Sequence, residues 1–432
     1  MNKLGIRKWL SFIVAGLVGQ LAWAIENNYL NIYVYQCTDS ADFIQIMTAA
    51  SAVGATITTL LMGALSDRLG KSKSFVSFGY ILWGISIILF AFLDPRSSVS
   101  FVAGSAKASG TMIVIMDCVM TFFGSTANDA AFNAFVTDNT EESNRGKVES
   151  VLSILPLVSM IAVVVVGGMF TNKSDPHWDI FFYIFGGITL VAGVACIFLL
   201  PKDVKAANKE EPYFKNIFYG FRPKVIKDNK ILYVILLAFM VFNMAIQVFM
   251  PYFMVYIQES LGIIDDQFTI TLGIVLVVAC IITVVFGLFM DKIGKNRIII
   301  PALAVGALGG LLMFFAKNQI MVIIAGIILM VGYLVGTAVL GAKIRDYTPE
   351  KEVGLFQGVR MVFVVMLPMV TGPYIGLGLS NINAQTYIND FNQVTILPNS
   401  YIFLGAAAIL LFALVPVIIY IKMEKKNVST SK

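Results

Sequence analysis

Residues 63–71 read GALSDRLGK, and residues 287–295 read GLFMDKIGK. In each copy an apolar run ends at a glycine, Gly70 or Gly294, the residue that leaves a helix through a left-handed turn at least cost. Each copy also sets one carboxylate beside cations: Asp67 with Arg68 and Lys71, and Asp291 with Lys292 and Lys295. The same turn half a chain apart marks a duplication. Two more pairs keep the same order. DNTEE at 138–142, followed by Gly146, matches DYTPE at 346–350, followed by Gly354. Ala24-Ile25-Glu26 with Val34-Tyr35 matches Ala245-Ile246-Gln247 with Val255-Tyr256.

Composition fixes the solvent. Hydrophobic residues make up 58% of the 432-residue chain and charged residues 13%, against about 25% charged in an average soluble domain. Such a chain belongs in a bilayer. Hydropathy predicts an all-α integral membrane protein with spans at 10–36, 43–66, 75–93, 109–136, 148–170, 179–200, 230–258, 267–290, 298–316, 319–343, 354–379 and 400–421. A β-barrel is excluded, because runs such as 81–93 and 158–170 are continuously apolar and do not alternate between two faces. The division is an amino-terminal six-helix bundle at 1–200, a basic linker at 201–229 and a carboxy-terminal six-helix bundle at 230–432.

Cations alternate along this scheme. Lys3, Arg7, Lys8, Arg68, Lys71, Lys73, Arg145, Lys147, Lys292, Lys295, Arg297, Lys343, Arg345, Lys351 and the tail Lys422, Lys425 and Lys426 fall on one side, and only Arg96, Lys107, Lys173 and Lys317 on the other. The positive-inside rule puts both termini in the cytoplasm, in a plasma membrane. The net charge of +5 is thereby topological, and no nucleic-acid partner is expected. The apolar amino terminus is too long for a signal h-region and is expected to be retained. The linker reads as a tether with one apolar patch, 213–221, suited to an anionic inner leaflet, and the tail reads as a second tether. Four cysteines form no disulfide framework, no metal motif is present, and the phosphate-loop glycine that Gly70-Lys71-Ser72 would need is Leu65. Neither an enzyme nor a cofactor is expected.

The repeated turn is similar to the signature between the second and third, and the eighth and ninth, helices of the major facilitator superfamily. The resemblance spans nearly the whole chain and implies two pseudo-symmetric six-helix bundles that transport a solute by alternating access. It also implies gating contacts: Asp67 with Arg68 at the amino end of the eleventh helix, and Asp291 with Lys292 at that of the fifth. Arg360 either pairs with Asp67 at that gate or snorkels to the interface. Residues 19–26, GQLAWAIE, resemble the first helix of sucrose transporters and related glycoside-pentoside-hexuronide cation symporters. That likeness implies a sugar or glycoside. The second helix departs from melibiose-type carriers, since it lacks their sodium-binding aspartates and offers Thr48, Ser51, Thr56, Thr58 and Thr59.

Physical chemistry points to the same helices. A carboxylate inside a bilayer costs at least about 2.5 kcal/mol, so Glu26, Asp117 and Asp129 are expected to face a wet cavity or a partner and to carry the coupling ion. That ion is expected to be a proton, with sodium as the alternative. Gln20, Trp23, Asn27 and Asn31 recur at helical spacing, a mixture of amides and an aromatic ring suited to hydroxyls and a sugar face. Asn243 and Gln247 are expected to bind the solute from the other repeat, where neutral Gln247 stands in place of Glu26. The partners expected are a small-molecule solute and the lipid bilayer, with the chain acting as a monomer. A drug or metabolite exporter of the same fold, and a non-transporting sensor, are the alternatives.

Overall fold

The computed structural model describes residues 5–140, 148, 151–152, 154–171, 176–203, 218–349, 353–388 and 394–430. Lys3, Arg145, Lys147, Lys173 and Lys351, the linker segment 204–217 and part of the 138–146 and 346–354 repeat lie outside the described residues. Twelve apolar helices run in order among those described. They are α1 (Ile6–Thr38), α2 (Asp42–Leu69), α3 (Ser72–Phe92), α4 (Ala106–Asp138), α5 (Leu155–Phe170) and α6 (Trp178–Leu199), then α7 (Lys230–Ser260), α8 (Asp265–Ile293), α9 (Lys295–Phe315) and α10 (Gln319–Tyr347). The last two are α11 (Val353–Met361, Val362–Met366 and Leu367–Ser380) and α12 (Tyr401–Lys426). All but α5 are long and apolar enough to cross a membrane. Pro156 sits in the first turn of α5, where its missing N–H leaves no bond unmade.

Both copies of the repeated turn pass through a glycine with positive φ, but with different ψ, 34° at Gly70 and 129° at Gly294. Gly70 has φ +60° and Gly294 φ +92°, a range that a side chain on Cα opposes. The Gly70 amide closes α2 on the Ser66 carbonyl at 2.9 Å, and α3 starts two residues later. Gly294 alone separates α8 from α9.

The chain divides into two compact units, Met1–Ile217 and Phe218–Lys432. Within the first, α3 packs along α6, α1 on α5 and α6, and α2 on α4. Within the second, α9 packs on α12, α7 on α11 and α12, and α8 on α10. The duplication seen in the turns therefore extends to which helices touch. Contact between α3 and α6 depends on absent side chains: a Cβ on Gly84 would lie 2.4 Å from the Leu190 nitrogen and 2.7 Å from the Gly186 oxygen. Membrane helices commonly approach through such small residues. Outward faces remain apolar, with Met169, Val191 and Phe198 each more than 60% exposed.

The described parts of both tethers read from the sequence include helical structure. Tyr219–Phe221 forms a short turn whose Tyr219 ring packs edge-on against Phe356, and the Tyr233 hydroxyl donates to the Gly220 carbonyl. The tail continues as helix to Thr430. Its anchor is Glu424: Lys343 Nζ lies 2.6 Å from Oε1, the Tyr347 hydroxyl donates to the same oxygen at 2.5 Å, and Asn296 Nδ2 donates to Oε2 at 2.6 Å. A short antiparallel hairpin, β1 (Thr386–Ile388) with β2 (Val394–Ile396), joins α11 to α12. It is unpredicted, although its residues are mostly β-branched.

Among the described residues four helices contain π turns: Ile25–Tyr29 in α1, Ser125–Phe132 in α4, Tyr256–Ser260 in α7 and Val362–Met366 in α11. A π turn inserts one residue into the helical ladder. Everything beyond it is rotated by about 100°, one residue's share of a helical turn.

Candidate functional site

Glu26 lies on the π turn of α1 and is 5% exposed. Its Oε1 accepts from two hydroxyls, Ser51 Oγ of α2 at 2.8 Å and Thr121 Oγ1 of α4 at 2.8 Å. Those hydroxyl oxygens are themselves 2.7 Å apart. Asp117, one helical turn before Thr121, approaches the same Ser51 and is 1% exposed. Glu26 Oε2 and Asp117 Oδ1 are buried without a hydrogen-bond partner. Among the described residues no lysine or arginine forms an ion pair with either carboxyl. Three helices of the first unit thus converge on two carboxyls and two hydroxyls.

Asp129 is set apart from that pair. It lies on the π turn of α4, half-buried, and accepts from Asn128 Nδ2 at 3.4 Å. The Trp23 indole N–H and the Ser125 hydroxyl approach the same carboxylate as donors. Trp23 is half-buried and meets Trp83 edge-on with ring centroids 5.1 Å apart. Behind Asp129, the Tyr80 hydroxyl donates to the Ala15 carbonyl at 2.6 Å and lies 3.1 Å from Asn128 Oδ1. A Cβ on Gly19 would lie 2.3 Å from Asn128 Oδ1, so α1 approaches α4 here only because residue 19 is glycine.

The predicted amide stripe does not form one face. Gln20 and Trp23 are half-buried, Asn27 is exposed and Asn31 is 4% exposed. The π turn between them supplies the rotation. Asn27, Asn28 and Asn31 also spend a donor on their own helix, bonding the carbonyls of Trp23, Ala24 and Asn27 at 2.8, 3.0 and 2.9 Å.

In the second unit Asn243 Nδ2 donates to the Val364 carbonyl at 2.8 Å, within the π turn of α11, and so ties α7 to α11. Gln247 is half-buried, and its Cβ packs where Gly372 leaves room. Arg68 and Lys292 are exposed at the ends of α2 and α8. Arg360 is exposed on α11, with Arg345 among its charged neighbours. The side chains of Asp67 and Asp291 lie outside the described residues.

Two contributors escaped the sequence reading. Thr121 is four residues after Asp117 and Ser125 four before Asp129, so helical spacing from each aspartate was the available signal.

Among curated proteins none matches the sequence. Solved structures resemble it in fold. The nucleoside transporter NupG superposes with a TM-score of 0.69 at 11% identity, covering 98% of this chain and 100% of its own. A D-xylose-proton symporter gives 0.70 at 14% identity, covering 94% and 97%. The xylose transporter XylE from E. coli, in a partially occluded inward-open conformation, gives 0.66 at 14% identity, covering 94% and 97%. The profile of the Major Facilitator Superfamily matches residues 9–263 and 244–432. With that profile spanning both units, the chain belongs to the Major Facilitator Superfamily.

Proposed function

We propose that the protein is a secondary transporter in the plasma membrane, with both termini cytoplasmic, that moves a small neutral polyhydroxylated solute of the sugar or glycoside class in symport with a proton held at Glu26. The observation that carries the reading is a shortage of hydrogens. Glu26 Oε1, Ser51 Oγ and Thr121 Oγ1 form a triangle with edges of 2.8, 2.8 and 2.7 Å, all hydrogen-bond distances. Two hydroxyls bring two hydrogens to three edges. Asp117 at the same Ser51 adds an acceptor and no donor. A proton on Glu26 Oε1 supplies the hydrogen that the triangle lacks, and its departure leaves a buried anion that only an alternative conformation can relieve.

Spacing favours a proton over sodium. Oxygens about 2.3–2.6 Å from a cation of that size, at right angles, stand about 3.3–3.7 Å apart, wider than this triangle. Resemblance of residues 19–26 to sucrose transporters and glycoside-pentoside-hexuronide symporters supports the solute class. So do the fold neighbours, whose names specify xylose and a nucleoside, both polyhydroxylated.

The test uses proteoliposomes and labelled D-xylose and uridine. Glu26→Gln is expected to abolish accumulation driven by a proton gradient while retaining exchange of internal for external solute, because exchange never requires the empty carrier to release its proton. Retained proton-driven accumulation in that variant sinks the assignment.

A further inference from the structure

Asn243, expected as a solute contact, instead repairs a break in α11. In an unbroken helix the carbonyl of Val364 accepts from the amide of residue 368, and that residue is proline, which has no N–H. The π turn just before it adds a mismatch of its own, since the Leu367 amide reaches back to the Val362 carbonyl. A carbonyl left without a donor inside a membrane helix is costly. Asn243 Nδ2 of α7 stands in for the absent amide, donating to the Val364 carbonyl at 2.8 Å.

The pieces of α11 on either side of this joint are held differently. Leu367–Ser380 is locked along α7. A Cβ on Gly372 would lie 2.4 Å from Gln247 Cβ, and one on Gly376 would lie 2.1 Å from the Val248 carbonyl oxygen. The buried Tyr252 hydroxyl donates to the Pro373 carbonyl at 2.8 Å. Val353–Met361 packs instead, among the described residues, on the short turn Tyr219–Phe221, where Phe356 meets the Tyr219 ring. Between the two pieces, no residue of Val362–Met366 is buried. The first unit has the anchor without the joint. There the Tyr29 ring fills the space that a Cβ on Gly167 would need, and its hydroxyl donates to the Val164 carbonyl at 3.4 Å. Yet α5 runs from Leu155 to Phe170 without a π turn and keeps its proline in the first turn.

We infer that α11 is jointed at Val362–Pro368, with Asn243 as the pivot. Val353–Met361 bends about it in each transport cycle while Leu367–Ser380 stays on α7. A side-chain donor suits a pivot, because it can follow the Val364 carbonyl through a change of angle without fixing the helix on either side. Asn243 is thus a positioning residue that acts through α11. This rests on the transport reading above.

The experiment combines hydrogen exchange in nanodiscs with transport in proteoliposomes, both on the full-length protein. Pro368→Ala returns an amide to the Val364 carbonyl. Protection of the Val362–Leu367 amides should rise about 2- to 10-fold, the scale of one net hydrogen bond. Turnover in the exchange of labelled D-xylose or uridine should fall by a similar factor, with KM nearly unchanged. Asn243→Leu leaves the carbonyl unpaired and should lower the same protection about 5- to 100-fold. In the Pro368→Ala background, where residue 368 supplies the donor, Asn243→Leu should cost less than about twofold. A merely misfolded Asn243 variant would show no such rescue. If Asn243→Leu is as costly in that background as in the wild type, or if Pro368→Ala fails to raise protection, Asn243 is not the pivot and the inference falls. If protection rises but exchange keeps the wild-type turnover, the joint is not used, and the inference falls while the transport reading stands. If wild type exchanges neither solute, the solute class above falls, and the protection measurements still decide the joint.

Discussion

Replacing Thr121 by Val keeps the shape of the side chain and deletes one of the two hydroxyls that donate to Glu26 Oε1 at 2.8 Å. A hydrogen bond to a charged acceptor contributes about 1.5–3 kcal/mol and one to a neutral acceptor about 0.5–1.5. The lost hydroxyl therefore favours the empty, anionic carrier over the protonated one by about 1 kcal/mol. That is roughly a fivefold change in an equilibrium where 1.36 kcal/mol is tenfold. Without it, the proton concentration giving half-maximal uptake should fall about fivefold, read as the external pH dependence of solute uptake into proteoliposomes. Ser51→Ala should act in the same direction, and more strongly, because Ser51 faces both carboxyls. The sign separates the two ions. If the cluster bound sodium, each hydroxyl would be a ligand, and its removal would raise the sodium concentration needed for half-maximal uptake. An unchanged proton dependence in both variants, or one displaced toward higher proton concentration, refutes the hydrogen-counting argument.

Gly19→Ala forces a methyl to within 2.3 Å of Asn128 Oδ1 and 2.7 Å of the Tyr80 hydroxyl; the overpacking should cost about 1–3 kcal/mol and lower Tm in detergent. Gly187→Ala, whose Cβ meets nothing within 4 Å, should leave Tm unchanged or raised. Lys343→Met strips the cation from Glu424 in a pair whose side chains are 8% and 14% exposed. It should cost about 3 kcal/mol, as breaking buried pairs does, and a double-mutant cycle with Glu424→Gln should return a coupling above about 1 kcal/mol.

The large-scale architecture was readable because its signals are local. Gly70 and Gly294 punctuate two turns of similar sequence, and each carboxylate in an apolar run is visible against its neighbours. What the sequence concealed is relational. Ser51 is one hydroxyl among several on α2, and only the register of α2 against α1 and α4 selects it. Asn27 and Asn31 were read as facing with Trp23 because helical spacing assumes an unbroken ladder, and nothing in Ile25–Tyr29 announces the inserted residue. Asn243 was read as a solute contact, but its amide donates to a carbonyl in the π turn of a helix distant in sequence. Glu424 was hidden among the lysines of an apparent tail, although those lysines occupy other positions on a helix that one carboxylate pins.

The triangle of Glu26, Ser51 and Thr121 also bears on how fast the carrier can be loaded. The contact between the two hydroxyls can be made with either as donor, so arrival of a proton need only swing O–H bonds about their C–O axes. Rotations of this kind belong to the fastest class of side-chain motion, on the order of picoseconds to nanoseconds, and they displace no carbon, nitrogen or oxygen atom. Loading should therefore produce almost no mechanical signal at the moment it occurs. Its signature belongs to vibrational spectroscopy, as a carboxylic C=O band that rises with solvent proton activity, moves in heavy water, and is missing from the Glu26→Gln protein.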